Sequence, residues 1–233
     1  MSLYSTVLKP DYIDPRIDVQ NKRVEFRLNP STAYESNLRI VNLGYTIGAN
    51  DSQLIIGTAG LYSQINNIRL MDGGKEIDAC RNANRYLAFK NMNNSNVDNY
   101  NITQQTAKAE VGYILNASKK VITGQESNRV LRTAANQTDE FSAYLDLRAC
   151  FPILENIPYL DTSLMPNLRI EIELNNNSNL LIASNTNDAL STLRPLLIAD
   201  EILDEQRKAK LKASLKNVGW NAVEHDLVSV PSQ

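Results

Sequence analysis

Apolar and polar positions alternate most cleanly from Leu168 to Leu174, where Leu168, Ile170, Ile172 and Leu174 fall on one side and Arg169, Glu171 and Glu173 on the other. A period of two is that of a half-buried antiparallel strand. The two glutamates read as a solvent-facing charged row that discourages edge aggregation. The segment EFSAYLDLRACFPILENIP from Glu140 alternates as a strand as well, and a short loop ending LDTSLMPN joins the two. Upstream, KRVEFRL puts Val24, Phe26 and Leu28 on one face of a first strand. SNLRIVNLGYTI, from Ser36 to Ile47, reads as a second, and the shift of its apolar phase between Ile40 and Val41 predicts a bulge. In INNIRLMDGGKEIDA, Ile68 and Leu70 lead into Asp72-Gly73-Gly74 and Ile77 leads out. Aspartate and glycine between alternating runs predict a hairpin, because they tolerate positive φ at little steric cost.

Other stretches break the strand pattern. RNANRYLAFKNM, from Arg81 to Met92, is locally helical with Tyr86, Leu87 and Phe89 as apolar anchors, and AKAEVGYILNASKK, from Ala107 to Lys120, suits helix or strand equally. The polar runs near Asn175–Asn179 and Ser184–Ala189 flank a brief LLIA and suggest a hairpin with surface loops. Pro10 and Pro15 make the first fifteen or so residues an extended arm, since proline and the residue before it both resist helix. No repeat of about 20 to 50 residues is visible, which argues against solenoids and propellers. The expected fold is all-β: an arm over 1–15, then one antiparallel jelly-roll sandwich over 16–233, with one or two short helices in its connections.

At 233 residues, one sizeable domain is expected. With 42% hydrophobic residues, a mean hydropathy of -0.33 and no apolar run of about 18 residues, no membrane span is expected. The opening MSLYSTVLKPDYIDPR lacks the basic and apolar regions of a signal peptide, so synthesis in the cytosol is the expectation. The sequons at Asn101 and Asn136 then stay bare, and Cys80 and Cys150 are expected to be reduced, their pairing left open. A formal charge of -2 lacks the footprint of a domain built to grip nucleic acid. Arg207, Lys208, Lys210, Lys212 and Lys216 follow Asp204 and Glu205, as on a solvated helix whose charges complement its macrodipole. An inward contact to packaged genome is the functional alternative.

Residues fit for chemistry are sparse. His225 is the only histidine, so a histidine metal site or a Ser-His-Asp triad would depend on that one side chain, whose setting VEHDLV alternates like a strand. Glu171 and Glu173 share one strand face, whereas paired catalytic carboxylates usually come from different elements. Asp200, Glu201, Asp204 and Glu205 offer oxygens for a calcium ion but match no EF-hand spacing, and capping of the following helix is the reading adopted. Asp72-Gly73-Gly74 lacks phosphate-loop spacing. Trp220 reads as a core or interface anchor. We therefore expect no catalytic, cofactor-binding or metal residue, and no enzyme.

The succession LDL (from Leu145), FPIL (from Phe151) and RIEIEL (from Arg169), followed by RPLLIADEILDEQ (Arg194–Gln206), a basic helix-like segment and WNAVEHDLVSVP (Trp220–Pro231), resembles the first jelly roll of double jelly-roll major capsid proteins of polinton-like viruses, virophages and related large DNA viruses. The resemblance covers roughly the C-terminal two fifths of the chain, and the hairpin at Gly73 fits the same scheme. It implies a structural protein of a double-stranded DNA virus, located in the virion and made in the host cytosol. Its partners would be copies of itself, as trimeric pseudo-hexagonal capsomers, and other capsid proteins, with no specific nucleic acid. That family continues into a second jelly roll where this sequence stops at Gln233. The expectation is thus the first half of a double jelly roll, or a single jelly roll of penton or minor-capsid type. A carbohydrate-binding jelly-roll module is the rival, and it needs exposed aromatics, which at 6% of the chain are mainly tyrosines.

Overall fold

The computed structural model describes residues 8–47, 53–56, 60–93, 130–132, 139–175, 181–184 and 190–214. Two antiparallel sheets face each other. The front sheet contains β1 (Leu8–Ile13), β4 (Ala33–Glu35), β5 (Arg39–Ile47), β10 (Asp139–Asp146), β11 (Tyr159–Asp161), β14 (Leu190–Thr192) and β15 (Leu196–Ile202). These form four rows rather than seven, because β14 and β15 lie end to end along β5 in one register, while β10 and β11 lie end to end along β5 and β4. The back sheet runs β2 (Ile17–Val19), β3 (Arg23–Arg27), β12 (Leu168–Leu174), β7 (Ile65–Asp72), β8 (Lys75–Cys80). A smaller sheet pairs β6 (Gln53–Ile56) with β9 (Val130–Arg132) and β13 (Leu181–Ser184).

The chain alternates between the faces: β3 back, β4 and β5 front, β7 and β8 back, β10 and β11 front, β12 back, β14 and β15 front. Such wrapping from sheet to sheet is jelly-roll connectivity, and the all-β antiparallel sandwich expected from the sequence is the fold observed. The core follows from the alternation. Ile170 pairs with Phe26 on one side and Leu70 on the other, and Ile172 with Val24 and Ile68. All six are buried against Leu197 and Ala199 of β15, Ile40 and Leu43 of β5, and Leu145 of β10.

The bulge lies where the apolar phase shifts. Leu43 faces Ala143 and Ile40 faces Leu145, so β5 spends three residues against two on β10. Asn42 takes the strain at φ +59°, a region asparagine tolerates better than most residues, and its side-chain amide donates to the Arg194 carbonyl at 2.8 Å. The hairpin turns at Gly73 and Gly74, with Asp72 opposite Lys75 and Gly73 at φ +58°, where a Cβ would be strained.

Several expectations need correction. The strand from Glu140 stops at Asp146; a 3-10 turn (Leu147–Ala149) and a short helix that begins just after Phe151, α2 (Pro152–Asn156), intervene before the sheet resumes at Tyr159. Pro152 has no N–H to give a ladder and suits the first helical turn instead. Counted with α1 (Ala83–Asn93) and α3 (Glu205–Ser214), the described residues hold three α-helices. Phe89 is no anchor of α1, being 65% exposed, whereas Leu87 is buried. The apolar LLIA joins β6, and β14 joins β5, so the two do not form a hairpin with each other. Within the arm, Leu8–Ile13 is extended but lies along β15 of its own chain, where buried Tyr34 donates its hydroxyl to Asp11 at 2.9 Å. Ala107–Lys120, Trp220–Pro231 and His225 fall outside the described residues.

Asp78 of β8 is buried and caps α2 from a distance: its carboxylate accepts from the Ile153 N–H at 3.1 Å and from the Ala79 N–H at 2.9 Å. Burial pushes its carboxyl above the ordinary 3.8, the two N–H groups only partly opposing it. Asp78→Ala should cost about 1 to 3 kcal/mol by leaving the Ile153 N–H unpaired. A raised folded pKa means that the contribution is fully present below about 3.8 and is lost as pH rises through the folded value. Wild type should therefore gain on Asp78→Asn as pH falls, which urea denaturation of both at several pH values checks. A difference that stays constant with pH would contradict it.

Candidate interaction surface

The outer face of the front sheet is divided. Its lower half, with Ala33, Tyr159 and Ile202, is covered by α3 through Leu211. α3 begins there because Asp204 accepts from the Gln206 and Arg207 N–H groups at 2.9 and 3.2 Å, satisfying its first turn, and Arg207 pairs with Glu35 at 2.8 Å. The other members of the acidic group point elsewhere: Asp200 to Arg39 and Asn37, Glu201 to Lys9, Glu205 to Lys208. They do not converge on a cation, and no group of three metal-ligating side chains occurs among the described residues.

The upper half has no described element over it. One row crosses the sheet as Tyr12, Ile198, Arg39 and Asp146, fixed by the pairing of β1 with β15, β15 with β5, and β5 with β10. Beside it stand Leu196, Val41 and Tyr144. Tyr12 is 60% and Tyr144 39% exposed, while Ile198, Leu196 and Val41 are half-buried. Charges here are neutralised in place: Arg39 meets Asp200 at 2.5 Å and Arg148 grips Asp146 with two nitrogens. Arg39 Nε and Asn37 Oδ1 are buried with no hydrogen-bond partner among the described residues. The result is an apolar, tyrosine-bearing stripe with paired charges and unsatisfied polar atoms, the composition of an interface core more than of a solvated face.

The outer face of the back sheet differs. Glu171 is 5% exposed, accepts from Arg69 at 2.9 Å and Arg169 at 2.8 Å, and forms an ion pair with Arg23 at 3.2 Å. Glu25, also buried, shares Arg23 at 2.8 Å. The solvent-facing glutamate row expected of this strand holds for Glu173, which is exposed and takes the Asn67 amide at 2.7 Å, but not for Glu171. The long stems of Arg23 and Arg69 from the neighbouring strands, and of Arg169 from its own, close over its carboxylate. Alternation correctly places Glu171 on the outer face; it cannot report how long its cross-strand neighbours are.

The segments quoted for the family resemblance divide between these faces: LDL closes β10, RPLLIAD carries Leu196 and Ile198, and RIEIEL is the centre of the back sheet. Sequence reasoning did not single out Tyr12 or Tyr144. Their signal was present, since both are outward positions of alternating strands, but β1 lay in a segment read as an arm.

No family model matches the sequence, and no curated protein matches it. Among solved structures, the chain is similar to PBCV-1 VP54 fitted into a reconstruction of the virophage Sputnik, at 13% identity and a TM-score of 0.48, with 92% of this chain and 47% of that one covered. It is similar also to a quasi-atomic model of the PBCV-1 virus capsid, at 12%, 0.47, 91% and 46%, and to a cryo-EM structure of the Sputnik virophage, at 11%, 0.45, 83% and 47%. The chain spans about half the length of each.

Proposed function

We propose that this chain is a structural component of a virus shell and acts by self-association, with the half of the front sheet that no described element covers as a subunit contact. The observation that carries the reading is the Tyr12, Ile198, Val41 and Tyr144 stripe, where exposed and half-buried apolar side chains lie with no described element over them. The capsid-like order of LDL, FPIL, RIEIEL and RPLLIADEILDEQ supports the class of assembly. Identical subunits that meet through unlike surfaces must close into a ring or grow without limit, and a trimer, as the resemblance implies, is the closure we favour. The virion is the proposed location, with other capsid proteins as further partners, in a major, penton or minor role. No residue is assigned a catalytic task.

Light scattering and sedimentation across a concentration series test the proposal. Wild type should associate, and Tyr12→Asp combined with Tyr144→Asp should weaken association about tenfold or more, as expected when central aromatic anchors are replaced by charge. Because both side chains face outward, the denaturation midpoint should barely change. A wild type that stays monomeric at every concentration, or a double variant that associates equally well, would overturn the reading.

A further inference from the structure

We infer that Cys80 and Cys150 are an oxidisable thiol pair, which a small disulfide such as oxidised glutathione converts into an intramolecular bridge locking β8 to the turn before α2. Cys80 ends β8, and Cys150 sits between the 3-10 turn and α2. Both are free thiols buried in the same core cluster, and of the groups around it Cys80 bears most on the Cys150 thiol. Contacts that involve no sulfur hold the two backbones side by side: Asp78, two residues before Cys80, accepts from Ile153, three residues after Cys150, at 3.1 Å. The Cys150 N–H donates to the Leu147 carbonyl at 3.0 Å, and Lys90 Nζ reaches the Ala149 carbonyl at 3.4 Å, so the turn is fixed on either side of the thiol. With the two backbones pinned together two and three residues from the thiols, side-chain rotation can bring the sulfurs to the roughly 2 Å of a disulfide bond.

The exchange runs in two steps. One cysteine, as thiolate, attacks a sulfur of the small disulfide, forming a mixed disulfide and expelling one glutathione thiolate. The second cysteine thiolate then attacks the protein sulfur of that mixed disulfide, closing the bridge and expelling the second glutathione. The protein gives up two electrons and two protons, and glutathione disulfide takes both to become two thiols. Cys80 and burial push the Cys150 thiol well up, so the closed core reacts slowly and only when the turn lifts. The turn can lift without breaking the sheet ladder, because residues 147–158 are an excursion between two strands that pair end to end with β5 and β4.

The test exposes reduced protein to oxidised glutathione, both folded and during refolding, then unfolds it in the presence of an alkylating agent and measures intact mass and melting temperature. We expect loss of both alkylatable thiols with no glutathione retained, and a rise of about 10 °C in melting temperature, the scale for a crosslink closing a long loop in a domain of this size. A reducing agent should reverse both. Cys80→Ala and Cys150→Ala should each abolish the rise. Two thiols still alkylatable under both regimes, or two glutathiones carried per chain, would overturn the inference.

Discussion

Ile172→Ala should lower the free energy of unfolding by about 3 to 5 kcal/mol, and Ile170→Ala by a similar amount, the upper part of the range for truncating a fully buried isoleucine. The reason is position. Each sits at the centre of the back sheet between two buried apolar neighbours, Val24 and Ile68 for Ile172, Phe26 and Leu70 for Ile170. The gap left by a smaller side chain is bounded by paired strands that cannot collapse into it, so lost transfer energy and cavity cost add. Urea denaturation should show a lower midpoint with unchanged slope. Glu173→Ala, one residue along on the exposed side, should change stability by no more than about 0.5 kcal/mol. Equal losses at Ile172 and Glu173 would contradict the orientation of the strand.

The residues that carry this prediction are also the ones most legible from sequence. A period of two reports which side of a strand is buried because a strand has only two sides, and the register of β12 with β3 and β7 follows once all three must bury their apolar positions together. The bulge at Val41–Asn42 and the turn at Gly73 were legible for a local reason: one extra residue breaks the phase, and few residues accept positive φ. Where pairing is decided at long range, the sequence was silent. Nothing in LKPDYI says that it lies along β15, nearly two hundred residues away, and nothing in LLIA chooses β6 over the following segment. The interaction surface was illegible for the same reason, since Tyr12 and Tyr144 come together only through two intervening strands. The strand expected to run from Glu140 through Pro158 failed at the 3-10 turn and α2, where alternation continues by chance while proline and a remote cap at Asp78 specify a helix.

Glu171→Ala should cost about 2 to 3 kcal/mol, far more than the same change two residues on at Glu173. Removing one partner of a buried ion pair costs about 3 to 5 kcal/mol when the remaining charge stays buried. Here the guanidinium groups of Arg23, Arg69 and Arg169 keep 45%, 42% and 28% of their side-chain surface in water, which lowers the figure. Arg23 also retains Glu25 at 2.8 Å, so the loss falls mainly on Arg69 and Arg169. Without the carboxylate, three like charges face each other across adjacent strands, a repulsion that salt screens only in part at a site this shielded. Glu171→Gln keeps the shape and one acceptor and should fall between the two. A double-mutant cycle with Arg169→Ala should return a coupling of about 1 kcal/mol or more, because the two groups are in direct contact. Should Glu171→Ala prove as mild as Glu173→Ala, with no coupling to Arg169, the carboxylate would be a solvated charge, and the back sheet's outer face would be the polar row that its alternation first suggests.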